Sequence, residues 1–293
     1  MKNKSWRHHY IPQFYLNNFT NNLNKFHIYL VKEEKYKEEG KLFSPKSHFF
    51  EESGNTISTE SGQTDFLETD LYQKLDSDFG KLFYKIKTST EERFGLSEND
   101  MPLVQFFVAH LFWRNPINNE FVKALLKEKG LNGLGFKIKN IETNEEIQNS
   151  EIEKDLIANE TTYKIIKYWL PSLLYQNLYE NDDPLTILQF NPGNKPALLS
   201  DNPLILRNPK DFDVYKDEFI LPLSNDKILI RTKKVKEQYQ NTTRVLIDHL
   251  LIRQSNSFIS STDLTYISML KNLNKNSTIE ALRKEIFENL TED

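Results

Sequence analysis

The sequence predicts an α+β fold, mainly helical, with a small and largely antiparallel sheet. Three observations carry that expectation. Apolar residues recur at a 3.6-residue period through much of the stretch 65–180, the mark of helices with one buried face. After Asp183-Pro184 the pattern changes to short apolar pieces separated by turn residues, which is how antiparallel strands read. Only 38% of the 293 residues are hydrophobic, but 20 Phe and 13 Tyr are among them. Aromatic side chains bury large areas each, enough for a real core.

Taken in order, 26–31 is a short β-rich strand. The charged run 32–40 ends in Gly40 and reads as an exposed hairpin connection, with 42–50 as the returning strand, broken by Pro45. His27 and His48 fall on this hairpin as surface or half-buried residues. The run 51–64, rich in Gly, Ser and Thr, reads as a loop. Asp65 opens a helix to about Lys87, with Leu67, Leu71, Leu75, Phe79, Leu82 and Phe83 on one face. Ser97 looks like the cap of the next helix. Its face of Leu103, Phe106, Phe107, His110, Leu111 and Trp113 is too apolar for an exposed surface. Asn115-Pro116 should end or kink it, because proline lacks an amide donor and restricts its predecessor.

A shorter helix is expected over 117–129, closed by Gly130, and 131–147 is the candidate insertion or subdomain boundary. A long helix over 151–179 is bent by Pro171. Strands follow at 186–190, 197–199, 218–221 and 227–230, then a helix over about 234–256 and a strand at 258–260. Ser277 and Glu280 have capping-box spacing and open a terminal helix. One α+β domain over 1–293 is the expected organisation, with a helical insertion or subdomain around 97–180.

The formal charge of −4 does not suit a basic protein that coats nucleic acid generally. With no cysteine, disulfides, thiolate catalysis and cysteine-ligated zinc are excluded. No run of about 18 apolar residues occurs, and no apolar stretch follows the N-terminal lysines, so a soluble, cytoplasmic protein is expected. A Gly-rich phosphate loop, a Gly-x-Ser-x-Gly elbow and a His-Glu-x-x-His pair are all missing, which argues against P-loop hydrolases, ordinary esterases and zincin proteases.

The densest chemistry lies in Arg7-His8-His9-Tyr10-Ile11-Pro12-Gln13-Phe14-Tyr15-Leu16. Histidine is the side chain best placed to exchange a proton near neutral pH. In an extended segment, neighbouring side chains point to opposite faces, so His8 and His9 should not share one pocket. Tyr10, Phe14 and Tyr15 read as core. Ser200-Asp201-Asn202-Pro203 follows a strand, where a loop can present polar groups. Asp201 there suits orienting a histidine or binding a metal, and equally an Asx-type turn that caps its own backbone. Arg114, at the end of the apolar helix, suits a phosphate clamp or the capping of helix carbonyls. His110 one turn earlier reads as a core histidine. Glu68 with Asp65 or Asp76 offers carboxylates from the first helix, on what otherwise reads as a solvated face.

The opening run through Asn17-Asn18-Phe19 resembles the signature of the bacterial family catalogued as domain of unknown function 4238. Further pieces fall in the family's order. Phe112-Trp113-Arg114-Asn115-Pro116 resembles its central arginine-containing helix end, and Leu199-Ser200-Asp201-Asn202-Pro203 its Ser-Asp-Asn-Pro turn. Leu221-Pro222-Leu223-Ser224 is similar to the Pro-Leu-Ser strand end that follows. At 247–261 the likeness continues, but Asp248 stands where the family pattern leads one to expect asparagine. The resemblance implies a fold outline and candidate residues, and no reaction.

The residues point to a phosphodiesterase-type hydrolase, in particular a nuclease of bacterial defence or toxin systems. His8 or His9 would be its acid/base, Asp201 the orienter or a metal ligand, Arg114 the phosphate clamp, and Gln13 and Asn202 the positioning groups. A divalent metal is chemically compatible, although no ligand spacing here is diagnostic of one. Arg231, Lys233, Lys234 and Lys236 form a basic cluster that suits a polyanion or simply a solvated face. The alternative is a non-catalytic domain that binds a nucleotide or another anionic small molecule. A third reading makes the motif residues pins for the N-terminal segment. Convergence separates them: both functional readings require His8 or His9, Arg114 and Asp201 to share one open pocket.

Overall fold

The computed structural model describes residues 6–59, 62–89, 93–97, 99–147, 150–175, 185–191, 193, 195–209, 216–273 and 277–292. The class is α+β, and every strand pairing among the described residues is antiparallel. Among the described residues the expected single small sheet is instead two five-stranded sheets and two two-stranded ones. The first large sheet runs in the order Leu198–Ser200, Phe258–Ser261, Phe26–Leu30, Lys35–Tyr36, with Leu42–Phe43 also pairing with Phe26–Leu30. The second runs Ile205–Leu206, Phe219–Pro222, Lys227–Arg231, Leu185–Gln189, Arg93–Gly95.

Side-chain alternation explains why these strands read as continuous apolar runs. In the second sheet Ile187, Phe219, Leu221 and Leu229 enter one core. Their neighbours Leu188, Ile220, Ile228 and Ile230 enter another on the opposite face. A strand buried on both faces has no polar side to show. The first core is closed by the N-terminal segment and the helices Gln73–Thr88 and Asp100–Arg114. The second is closed by Thr242–Gln254, Tyr266–Asn272 and Ile279–Leu290.

Several boundaries differ from expectation for identifiable reasons. The returning strand of the first hairpin stops at Phe43, because Pro45–Ser47 forms a 3-10 turn. The chain resumes at Phe50–Glu52 and pairs instead with Arg7–His9. His48, expected at least half exposed, is buried between Lys37 Nζ (3.2 Å) and Ser47 Oγ (3.0 Å). The loop over 51–64 holds a hairpin, Ile57–Thr59 with Gly62–Thr64. The first long helix begins as a wide π turn, Leu67–Tyr72, before the α-helical Gln73–Thr88.

Ser97 does accept the Asp100 amide at 3.2 Å, and Asn115 ends that helix, as expected. The helix Asn119–Gly133 runs on past Gly130, which interrupts it at φ +64. The long helix is two, Ser150–Ala158 and Glu160–Tyr175, split at Asn159, whose carboxamide oxygen accepts from the Thr162 amide. Its expected end at 176–179 lies outside the described residues. The helix expected from 234 begins only at Thr242, because Lys236 pairs its amide with the Leu290 carbonyl. The terminal helix is capped by Thr278 rather than Ser277, through the Ala281 amide at 3.1 Å.

Candidate functional site

Backbone geometry fixes the opening segment. Arg7–His9 pairs antiparallel with Phe50–Glu52, setting His8 opposite Glu51 and His9 opposite Phe50. Phe49 adopts φ +61, a left-handed conformation rare for a bulky residue. It thereby turns its carbonyl toward the amides of Tyr10 (3.0 Å) and Ile11 (3.4 Å). Beyond this pin, Tyr10, Ile11, Tyr15, Leu16 and Phe19 all enter the first core, and the Tyr15 hydroxyl donates to the Pro222 carbonyl.

His8 and His9 do face opposite ways. The Asn55 amide donates to His8 Nδ1 at 2.8 Å, so the ring proton sits on Nε2, 3.9 Å from Asp65 Oδ1. Asp65 in turn accepts from the Thr56 hydroxyl at 2.6 Å. His8 is buried, with its Nδ1 engaged by the backbone.

His9 turns to the other side. Its Nε2 lies 3.2 Å from the Pro45 carbonyl, which can only accept, so Nε2 carries the proton and Nδ1 the lone pair. The Gln13 carboxamide donates to that lone pair at 3.3 Å. Burial lowers the His9 pKa to about 4; the Pro45 carbonyl opposes this, and the charges of Arg114 and Arg7 reinforce it. At neutral pH the ring is therefore uncharged. His9, Gln13, Arg7, Glu68, Gln73 and Asp76 line an open pocket of about 380 Å³.

Arg114 stands behind the pocket's acidic wall. One guanidinium nitrogen donates to both oxygens of Asp76, at 2.9 and 3.1 Å. The other lies 3.8 Å from Glu68, and the group sits 4.2 Å over the Tyr72 ring. Burial opposes its charge, but Asp76 and Glu68 more than offset this and hold its pKa above the ordinary value. The Asp76 carboxyl is pushed up by burial and pulled back by Arg114. Glu68 also accepts from the Asn55 side chain at 2.8 Å. One chain of contacts thus runs from His8 through Asn55, Glu68 and Arg114 to Asp76. Arg114→Met should lose about 3 kcal/mol at pH 7, because it strands two half-buried carboxylates. Thermal unfolding checks this: the deficit against wild type should shrink from pH 7 to pH 5, because Asp76, already pushed up by burial, loses the guanidinium that pulls it back and takes up a proton more readily.

Asp201 and Asn202 do not join this pocket. The Asp201 carboxylate accepts from the backbone amides of Asn256 (3.0 Å), Ser257 (2.6 Å) and Phe258 (3.0 Å). Its own amide donates to the Phe258 carbonyl, and its carbonyl accepts from Asn115 Nδ2 at 2.7 Å. Burial raises its pKa while the three amides oppose the rise. Asp201 thus fastens the start of the Phe258–Ser261 strand and has no hydrogen bond to either histidine. Asn202 exchanges hydrogen bonds with Gln254, Nδ2 to its carbonyl at 3.3 Å and its own carbonyl from Nε2 at 2.6 Å. Of the expected set, His9 and Gln13 share the pocket, Arg114 supports its wall, and His8, Asp201 and Asn202 lie elsewhere.

The basic cluster is divided: Lys233 and Lys234 are exposed and Lys236 is half-buried, while Arg231 is not at the surface. Arg231 is 1% exposed and lies over the Phe219 ring, Lys234 pairs with Glu292, and Lys236 donates to the Glu288 carbonyl. His110 is a core residue ringed by Tyr72, Phe79, Phe106 and Tyr168. Among the described residues no three His, Asp or Glu side chains gather in a way that could hold a metal ion. Two contributors escaped the sequence reading. Asn55 sits in what looked like a featureless loop, and the group that orients His9 is a backbone carbonyl, which no residue type announces.

A family model described as "Protein of unknown function (DUF4238)" matches residues 7–263 of the 293. The chain belongs to the DUF4238 family. No curated protein and no solved structure gave a match. Within the DUF4238 match, the opening segment builds the His9 pocket, and the Asn115 and Asp201 turns are joined by a hydrogen bond. Asp248, the departure from the expected pattern, is fully buried and accepts from Arg244, from Lys195 at 2.7 Å and from the Tyr266 hydroxyl at 2.9 Å. Burial lowers the Lys195 pKa to about 8, with Asp248 opposing the fall. An asparagine in its place would leave two cations without their anion. No helix among the described residues is long and apolar enough to cross a membrane.

Proposed function

We propose that this DUF4238 protein is a phosphodiesterase-type hydrolase, a nuclease of bacterial defence or toxin systems, working at the His9 pocket. The observation that carries the reading is the His9 ring. A backbone carbonyl holds its Nε2–H, and this leaves an uncharged Nδ1 lone pair beside Gln13 in an open pocket. That is the arrangement a general base needs. Nδ1 takes the proton of the attacking hydroxyl as the new O–P bond forms, and the imidazolium passes a proton to the leaving oxygen as the old P–O bond breaks. Gln13, released from Nδ1, and the exposed Arg7 donate to the non-bridging oxygens. Arg7 also lies over the rings of Trp6 (4.6 Å) and Phe50 (5.1 Å), and Trp6 is 49% exposed. This rim offers a stacking surface for a base beside a phosphate. Arg114 acts indirectly: it neutralises Asp76 and Glu68, which would otherwise repel the substrate. A phosphate anion in the pocket raises the His9 pKa from about 4 toward the range useful at neutral pH. No step is routed through a metal.

The second reading is a non-catalytic nucleotide or anion binder. It is favoured by the fact that both His9 nitrogens already have partners in this structure. The test uses RNA, DNA and nucleotides, with and without divalent metal. His9→Gln retains an amide donor for the Pro45 carbonyl but has no basic nitrogen. It should stay folded by circular dichroism and lose about 10²–10⁴-fold in cleavage. Undiminished cleavage by His9→Gln removes His9 as the base. Calorimetric binding by wild type with no turnover of any substrate supports the binder.

A further inference from the structure

A second pocket, of about 240 Å³, lies where the two signature turns meet. Its apolar walls are Leu111, Phe112, Leu204 and Leu206, and Arg283 of the terminal helix enters it. The carboxamides around it are committed to holding the turns. Asn115 donates to the Asp201 carbonyl at 2.7 Å, Asn118 to the Phe112 carbonyl at 2.7 Å, and Gln254 to the carbonyls of Asn202 (2.6 Å) and Leu204 (3.1 Å).

Arg283 is different. Its Nε is buried and has no hydrogen-bond partner among the described residues, and no Asp or Glu is among the pocket's described lining residues. A half-buried guanidinium with one buried donor nitrogen unsatisfied is unfavourable, and burial does weaken its hold on the proton, with Glu280 opposing. The planar fork of donors matches a carboxylate in two-point contact. Walls of leucine and phenylalanine exclude a strongly hydrated partner such as free phosphate and favour an apolar body of modest size.

We propose that this pocket binds a small organic carboxylate, its carboxylate paired with Arg283 and its apolar body lying against Leu111, Phe112, Leu204 and Leu206. Arg283 lies outside the residues 7–263 that match the family, so the cation is brought to the signature turns by the chain's terminal helix. The site is separate from the His9 pocket, and neither proposal depends on the other.

The probe is 3-phenylpropionate, with 3-phenylpropan-1-ol as its uncharged counterpart, titrated by calorimetry into the full chain. Wild type should bind the acid at least tenfold more tightly than the alcohol. Arg283→Gln should weaken the acid at least tenfold, to the level of the alcohol, and leave the alcohol unchanged. Leu206→Trp, which fills the pocket, should abolish binding of both. Methyl NMR of the full chain should place the largest acid-induced shifts at Leu204 and Leu206. No binding of the acid by wild type, equal affinity in Arg283→Gln, or binding that survives Leu206→Trp would overturn the proposal.

Discussion

Acid should unfold this protein between about pH 6 and pH 4, above the range in which ordinary carboxylates titrate. Burial lowers the pKa of His9 and His48 to about 4 and that of His110 to about 3, from 6.5 in each case. Between those values and 6.5 the unfolded chain binds more protons than the folded one, so stability is complete above pH 6.5 and falls as the pH drops. By pH 4 each ring accounts for a loss of about 3 kcal/mol, and three together approach the whole stability of about 5–15 kcal/mol. Burial raises the pKa of Asp76 and Asp201, which gives the opposite sign: their contribution grows as the pH falls through the carboxylate range. Their contribution therefore opposes that of the histidines, two carboxyl groups against three rings. His110→Phe should move the acid midpoint downward, because neither ring nitrogen of His110 has a hydrogen-bond partner among the described residues and the aromatic cage accepts a phenyl ring. Ellipticity against pH for both proteins is the check. A wild type still cooperatively folded at pH 4 would show that the histidines protonate in place.

Asp201→Ala should destabilise the protein by about 3–5 kcal/mol. The substitution leaves three backbone amides, those of Asn256, Ser257 and Phe258, without their acceptor at the entrance to a strand in the middle of the first sheet. A buried donor left unsatisfied costs about 1–3 kcal/mol, and water entering the cavity limits the sum. Asp201→Asn keeps one acceptor oxygen and should lose less. Urea unfolding measures both. A loss below about 1 kcal/mol for the alanine variant would mean that the clasp contributes little, and would return Asp201 to consideration as a chemical group.

What the sequence disclosed, and what it withheld, follows from the range of the interactions. Helix periodicity needs only neighbours three and four apart, so 73–88 and 100–114 were legible, as was the end of the second at Asn115-Pro116. Strand alternation correctly put His8 and His9 on opposite sides. The carboxylates Glu68 and Asp76 were visible on the first helix, but their partner Arg114 lies 38 residues beyond Asp76, and no local pattern encodes that pairing. The same holds for Asp201, whose amide partners come 55 to 57 residues later. The Asx-type turn expected there, with Asp201 and Asn202 capping their own backbone, is not what forms: the Asp201 carboxylate clasps a distant strand start, and the local turn bond is the Asn202 amide donating to Ser200 Oγ. The helix start expected at 234 failed because Lys236 and Val235 pair with the far end of the chain, at Leu290 and Thr291. The Tyr266–Asn272 helix was not anticipated at all, being too short for its period to register.

The central claim is that His9 is an uncharged ring with its proton on Nε2 and its lone pair on Nδ1, facing the pocket. Nitrogen-15 NMR of the histidine rings, with His9→Gln to assign the signals, tests this directly. The predicted result is one protonated nitrogen, Nε2, and one unprotonated nitrogen, Nδ1, unchanged from pH 7.5 down to the onset of acid unfolding. A proton on Nδ1, or a His9 titration centred near 6.5 in the folded protein, would contradict it, and the general-base assignment would fall with it.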